Sequence, residues 1–139
     1  MAEDKTIDTT AINEILERAV AAPFNRKLDI RIKKAQRGSV ELELDTHPDL
    51  ANALGIVHGG VTATLCDSAM GFAAMTLGVH PVTVEMKLNY LSPGSIGERL
   101  IGKGKVIREG KTLIITEGEV FSGKNLIAKA VGTYFVQKS

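Results

Sequence analysis

The sequence predicts one α+β domain in which a largely antiparallel sheet wraps around a single buried helix. Two observations support this prediction. Residues 57–77 form a long segment that is apolar nearly all round, as expected of a helix that is covered on every side. Two strand-like segments precede it and four follow it, separated by turn residues. One central helix among several strands favours a sheet that covers the helix.

The elements before the central helix follow from their periodicity. Residues 9–22 place apolar side chains on one helical face, and Pro23 is expected to end that helix. Residues 28–32 alternate between apolar and polar side chains, which indicates a strand. Residues 40–45 alternate in the same way and complete a hairpin. The stretch 46–56, which contains Pro, Asn and Gly, is expected to be a loop.

The elements after the central helix are four strands that alternate or are bounded by turns. Gly78 is expected to cap the C-terminus of the helix, because glycine tolerates the left-handed conformation found there. The predicted strands are 82–90, 97–108, 112–121 and 126–136.

Length and composition limit the function classes. The 139 residues are expected to form one domain, 1–139. A net charge of +1 and an aromatic content of 4% favour neither nucleic-acid nor membrane partners. The one cysteine cannot form an internal disulfide, which fits a reducing compartment. The acidic, polar start does not resemble a secretory signal, so we expect a cytoplasmic protein.

One carboxylate interrupts the apolar helix. Asp67 is the only side chain with a formal charge between Asp49 and Glu85. A charged group there is costly unless it is paired or solvated, and burial raises the pKa of a carboxyl toward that of a general base. The alternative is a structural carboxylate that is bonded to a nearby hydroxyl, such as that of Thr64 or Ser68, or that reaches a solvated edge. The residue alone leaves both readings open.

The start of the same helix reads His58-Gly59-Gly60. A helix N-terminus presents unpaired N–H groups and the positive end of the dipole. Glycines there let a ligand oxygen approach the backbone closely, which suits polarisation of a carbonyl or an oxyanion. The alternative is that the glycines only form a tight entry into the helix.

The spacing of these two features predicts a dimer. Gly59 and Asp67 are eight residues apart, which is about 12 Å along a helix axis. Catalytic contacts need about 3 Å, so one helix cannot bring both groups to the same carbonyl. Two antiparallel copies related by a two-fold axis could do so. The sequence therefore predicts a homodimer with two equivalent sites at its interface.

The stretch NALGIVHGGVTATLCD, from Asn52 to Asp67, resembles the PaaI-like (phenylacetate-degradation type) acyl-CoA thioesterases of the hotdog fold. The stretch VTVEMKLNYLSPG, residues 82–94, resembles the strand that follows the long helix in the same family. The order of elements matches along nearly the whole chain. The resemblance implies a curved antiparallel sheet around one long helix, an extra N-terminal helix, and a homodimer that usually pairs again into a tetramer.

The resemblance also implies a role for each matched position. The Gly59 N–H would polarise the thioester carbonyl with help from the side-chain amide of Asn52. Asp67 of the partner subunit would act as general base on water or attack directly as a nucleophile. His58 would line the site near the sulfur, and Thr83, where the family often has serine, would help to hold the water. Three further positions are expected to contact substrate: Gly60, Ser68 and Val84.

No cofactor is expected beyond the coenzyme A of the substrate. Thioester hydrolysis needs an oriented water, one base and one carbonyl polariser. His47, His58, His80 and Cys66 show no metal-ligand spacing, so no metal site is predicted. The acyl group, and the choice between coenzyme A and acyl carrier protein, stay open.

Two other functions are considered. One is a non-catalytic module of the same fold that binds or senses acyl-CoA. The other is a hotdog dehydratase or hydratase, for which the usual pair of Asp and His is not found. Residues 104–112 resemble a phosphate loop, but they have the wrong glycine spacing and lead into a strand, so a hairpin is predicted. The lysines and arginines near the predicted turns indicate a solvated face or contacts with the phosphates of coenzyme A.

Overall fold

A computed structural model of the chain describes residues 9–137. The elements are α1 (Thr9–Val20), α2 (Pro23–Lys27), β1 (Arg31–Gln36), β2 (Ser39–Asp45), α3 (Gly59–Met75), β3 (His80–Tyr90), β4 (Arg99–Glu109), β5 (Leu113–Ser122) and β6 (Asn125–Gln137), with a short 3₁₀ turn at Pro48–Leu50. Across the described residues, no helix is both long enough and apolar enough to cross a bilayer.

The six strands form one antiparallel sheet in the order β1-β2-β4-β5-β6-β3. The long helix α3 packs against five of these strands, β2 to β6, and α1 packs against β1 and α3. The core consists of apolar side chains from both layers, such as Leu65 and Met70 of α3 and Leu42 and Leu100 of the sheet. The predicted α+β architecture, a hotdog arrangement of a sheet around one helix, is confirmed.

Glycines in the sheet bring α3 close to it. Gly104 of β4 pairs with Gly118 of β5 directly beneath the helix. A Cβ atom on Gly104 would collide with the main chain of Ala69 and would lie 2.6 Å from the nitrogen of Met70. A Cβ atom on Gly118 would lie 2.7 Å from the sulfur of Cys66. Because glycine has no Cβ atom, the helix backbone packs directly against the sheet backbone at these two positions.

One face of α3 stays partly accessible in the single chain. Nine of its residues are buried, and the others recur every three or four positions along one face. The half-buried residues are Gly59, Ala63, Thr64, Asp67, Ser68, Gly71 and Met75. One chain alone therefore does not bury the helix on every side, because its sheet covers only part of the helix circumference. Asp67 lies on the uncovered face.

The first elements differ from their predicted bounds. Pro23 does not simply end the first helix, since α1 ends at Val20 and Pro23 begins the short helix α2. Proline suits a first helical position because it has no N–H that must be paired. The first strand begins at Arg31 and not at residue 28, because Leu28 caps α2 and Asp29 takes φ +52°, a value that strands do not adopt.

The ends of α3 also differ. The helix begins at Gly59 with His58 as its N-cap, two residues after the predicted start. It ends at Met75 with Thr76, not Gly78, as its C-cap. The Thr76 hydroxyl donates to the Ala73 carbonyl at 2.6 Å, so a side chain takes over part of the capping. The four later strands lie where they were predicted, with bounds shifted by a few residues.

Candidate active site

A cavity of about 650 Å³ lies beside the first turn of α3. The loop before the helix forms one wall, and the end of β3 with the following segment Ser92–Gly94 forms another. Four predicted site residues line this cavity: Asn52, His58, Gly59 and Gly60. The structure therefore brings together the groups that were expected to hold the carbonyl.

The side chain of Asn52 organises the loop before the helix. Its Oδ1 accepts hydrogen bonds from the N–H groups of Leu54, at 2.9 Å, and Ile56, at 3.3 Å. Both bonds use the amide oxygen, so they fix the orientation of the side chain and leave Nδ2 as a donor. Among residues 9–137, no acceptor for Nδ2 is found. Asn52 therefore offers a free N–H at the cavity wall.

The backbone at the start of α3 offers a second free donor. The Gly60 N–H donates to Nδ1 of His58 at 2.8 Å. The Gly59 N–H, one residue earlier, has no acceptor within the described part of the chain. Because Nδ1 of His58 accepts, the proton of the neutral imidazole is on Nε2, which makes His58 a donor as well. Three N–H donors thus belong to residues that line one cavity.

Tyr90 holds the first turn from the opposite wall. Its hydroxyl donates to the Gly59 carbonyl at 2.8 Å, and its ring lines the same cavity. A Cβ atom on Gly59 would lie 3.2 Å from this hydroxyl. Glycine at this position therefore permits the contact between α3 and β3. Sequence reasoning missed Tyr90 as a site residue, although the alternation of β3 placed it on one face with Met86 and Leu88.

Asp67 lies elsewhere on α3, in a small cluster of hydroxyl groups. Its Oδ1 accepts from Oγ1 of Thr83 at 2.9 Å and from the hydroxyl of Tyr134 at 2.7 Å. The Tyr134 hydroxyl also lies 2.9 Å from the main-chain oxygen of Asp67. Both hydroxyl partners come from strands, so neither Thr64 nor Ser68, the two examples that the sequence suggested, bonds the carboxylate in the described residues. Sequence reasoning missed Tyr134.

Burial shapes the electrostatics around Asp67. It raises the pKa of the Tyr134 phenol, and the hydrogen bond to Asp67 and the charge of that carboxylate raise it further. Burial, followed by the charges of Asp67 and Glu119, also raises the pKa of the Cys66 thiol to about 12. Tyr134 is therefore a protonated donor and Cys66 a neutral thiol at any ordinary working pH.

The predicted site residues form two separate groups within one chain. None of Asp67, Ser68, Thr83 and Val84 lines the cavity at the start of α3. Thr83 and Val84 are exposed on β3, which is an edge strand of the sheet, and Ser68 is half-buried beside Asp67. In the described residues, no group of three or more His, Cys, Asp or Glu could hold a metal ion. The helix presents N–H donors at its start and a carboxylate in a separate part of the structure.

Fold and site together define a hotdog protein that can polarise a carbonyl and supply a carboxylate. The model of the Thioesterase superfamily matches residues 54–129, a stretch that contains Gly59, Asp67 and Thr83. The chain belongs to the thioesterase superfamily. The predicted family and the predicted class of enzyme, a thioester hydrolase, are confirmed.

Individual proteins resemble the chain along most of its length. Acyl-coenzyme A thioesterase 13 of Homo sapiens is 33% identical over 133 residues, which cover 93% of this chain and 91% of that protein. The PaaI protein of the E. coli phenylacetic acid degradation operon has the same fold, with a TM-score of 0.90 at 19% identity, and the match covers 94% of this chain and 96% of that one. The smu.793 protein of Streptococcus mutans UA159, solved bound to acetyl CoA, matches with a TM-score of 0.76 at 29% identity over 79% of this chain and 90% of that one.

Proposed function

We propose that the protein hydrolyses acyl-CoA thioesters to a free acid and coenzyme A at a site shared by two copies of the chain. The observation that carries the proposal is the separation of free N–H donors and carboxylate along one helix. The names of the similar proteins, a human acyl-coenzyme A thioesterase and a protein solved with acetyl CoA, support this class of substrate.

The start of α3 binds the thioester carbonyl in this mechanism. The Gly59 N–H and Nδ2 of Asn52 both lack an acceptor in the described structure, and both residues line the cavity. Two donors on a carbonyl oxygen stabilise the negative charge that develops there during attack. The Nε2–H of His58 lies at the same helix end and donates to the departing sulfur.

The carboxylate activates water. Thr83 and Tyr134 both donate to Oδ1 of Asp67, so Oδ2 is the oxygen that is free to accept a proton. The water oxygen adds to the carbonyl carbon as one of its protons passes to Oδ2. The carbon–sulfur bond then breaks, and the proton moves to the sulfur, which leaves a carboxylic acid and a thiol. Direct attack by Asp67 is the alternative: the carboxylate adds to the carbonyl carbon, the carbon–sulfur bond breaks and the thiolate leaves, and water then hydrolyses the anhydride. Mass spectrometry of acid-quenched enzyme would detect this anhydride.

The uncovered face of α3 supports a site built from two chains. Asp67 and several small residues lie on this face. The edge strand β3 packs beside α3 and carries exposed apolar side chains at Val82 and Val84. A second copy that packs antiparallel on this surface brings the partner subunit's Asp67 toward the Gly59 end of the first chain. We propose a homodimer of this kind, which pairs again into a tetramer.

The substitution Asp67→Asn tests the role of the carboxylate. The amide keeps the shape of the side chain but cannot accept a proton, so we expect kcat to fall by about 100-fold or more. The assay is release of free thiol from a panel of acyl-CoA thioesters. Near-normal turnover by the variant contradicts the role of Asp67, and tight acyl-CoA binding by the wild type without turnover favours a binding module.

Mixed dimers test whether the site is shared. One chain carries Asp67→Asn and the other Asn52→Asp, and two different affinity tags isolate the mixed species. In a shared site, one of the two sites is then intact, so about half of the wild-type activity returns although each variant alone is inactive. If Asn52 and Asp67 of the same chain act together, no activity returns. A solution mass of one chain with full activity also contradicts the proposal.

A further inference from the structure

The hydroxyl group of Tyr134 touches the lone carboxylate of α3, and nothing in the sequence motif marks it. We propose that Tyr134 is a positioning residue that holds Oδ1 of Asp67 and thereby leaves Oδ2 as the reactive oxygen. This inference rests on the proposed function, because it assumes that Asp67 accepts the proton.

The ring of Tyr134 is buried and closely packed. The residue is 2% exposed and is among the largest fully enclosed side chains of the core. A Cβ atom on Gly132 would lie 2.9 Å from Cε2 of the ring, and one on Gly71 would lie 3.4 Å from Cε1. Glycines thus border both edges of the ring. Close packing of this kind restricts a side chain to one rotamer, so the hydroxyl has a fixed position.

The hydroxyl makes its contacts on one oxygen of the carboxylate. It donates to Oδ1 at 2.7 Å and lies 2.9 Å from the main-chain oxygen of the same residue. Thr83, which faces Tyr134 across the β3–β6 pair, donates to Oδ1 as well, at 2.9 Å. No donor to Oδ2 is found in residues 9–137. Two hydroxyls on one oxygen restrict the orientation of the carboxylate and leave the other oxygen without a donor from the described residues.

Thr83 and Tyr134 differ in what else they can do. The hydrogen of the Thr83 hydroxyl is used on Asp67, so toward a water molecule this exposed residue can only accept. Tyr134 is enclosed, so it is remote from solvent and acts only through Asp67. The raised pKa of its phenol keeps it a donor throughout the range in which the enzyme is assayed.

The substitution Tyr134→Phe removes the hydroxyl and keeps the aromatic ring in the same packed position. A carboxylate with one fewer donor samples more orientations, so we expect kcat to fall by about 10-fold with KM changed less than 2-fold. The same substitution in an Asp67→Asn background should leave the residual rate unchanged, because the residue it positions is already inactive. A further drop in that background overturns the proposal, since Tyr134 would then act independently of Asp67.

A matched control separates positioning from a general loss of stability. Thr116→Val removes another buried hydroxyl, which donates to the Gly132 carbonyl at 3.1 Å and does not touch Asp67. This variant should lose thermal stability to a similar extent while kcat stays as in the wild type. If Tyr134→Phe folds and retains full kcat while Asp67→Asn is inactive, the positioning role fails and the proposed function stands. If Asp67→Asn is itself active, the proposed function fails first.

Discussion

The hydroxyl of Tyr90, at the end of β3, donates a hydrogen bond of 2.8 Å to the main-chain carbonyl of Gly59, the first residue of α3. This bond joins the edge strand to the turn whose N–H groups face the proposed carbonyl site. Tyr90 is 57% exposed and lines the cavity beside this first turn of α3. The geometry of the first helical turn is therefore coupled to the end of β3.

Removal of this bond should affect catalysis more than stability. In Tyr90→Phe the ring stays and the Gly59 carbonyl loses its partner, so the first turn becomes less fixed. We expect kcat to fall by about 3-fold to 10-fold, since one modest hydrogen bond is lost near solvent. Steady-state kinetics and thermal unfolding of the same preparation check this. Unchanged kcat would show that the turn is held by the backbone alone.

Asn52 has two functions that substitution can separate. Asn52→Asp keeps an oxygen for the N–H groups of Leu54 and Ile56 but replaces the donor Nδ2. We expect near-normal thermal stability and a loss of about 100-fold in kcat, as for removal of an oxyanion donor. Asn52→Ala should lose activity and also about 1 kcal/mol of stability, because the loop loses its acceptor. Equal stability losses in the two variants would contradict the assignment.

Cys66 should be unreactive in the folded protein. The thiol is fully buried and its pKa is raised to about 12, so almost no thiolate is present at pH 8. Iodoacetamide should therefore label native protein slowly. In guanidinium chloride the same reagent should label one equivalent rapidly, because Cys66 is the only cysteine. Rapid labelling of native protein would indicate that α3 opens.

The same thiol predicts how stability depends on alkaline pH. The ordinary pKa of 9.0 rises to about 12 in the folded state, so between these values the folded chain binds more protons than the unfolded chain. The free energy of unfolding should then fall as the pH rises through this range. Denaturant unfolding of wild type and of Cys66→Ala from pH 8 to pH 11 tests this, and the variant should show the smaller decline.

Two glycines beneath α3 should differ in their tolerance of alanine. A methyl group at Gly104 meets helix main chain, which cannot move without shifting α3, so Gly104→Ala should cost about 3 kcal/mol. A methyl group at Gly118 meets the side chains of Cys66 and Met70, which can adjust, so Gly118→Ala should cost about 1 to 2 kcal/mol. Denaturant midpoints rank the variants. A larger loss of stability in Gly118→Ala than in Gly104→Ala would show that α3 is not packed tightly against the sheet at Gly104.

The sequence was sufficient for the features that depend on local pattern. Alternation and turn residues predicted the four strands after α3, and the apolar run predicted the helix that packs against the sheet. The spacing of Gly59 and Asp67 predicted that one chain cannot join the two groups, and they do lie in separate parts of the structure.

The features that depend on distant residues were not predictable in the same way. Tyr134 lies 67 positions after Asp67, and an alternating strand gives no sign of which inward side chain meets the carboxylate. Pro23 was ambiguous, because proline both ends helices and begins them. How much of α3 is left uncovered depends on the curvature of the sheet. The amino-acid composition does not predict that curvature.

The strand order also bears on how the chain folds. β3 pairs with β6, the final strand that the structure describes, so the edge that carries Thr83 cannot be completed until that strand exists. Pairings between segments so distant in sequence form slowly and late. During synthesis on the ribosome, Asp67 therefore gains its hydrogen bond from Tyr134 only after β6 has been made, 67 positions later.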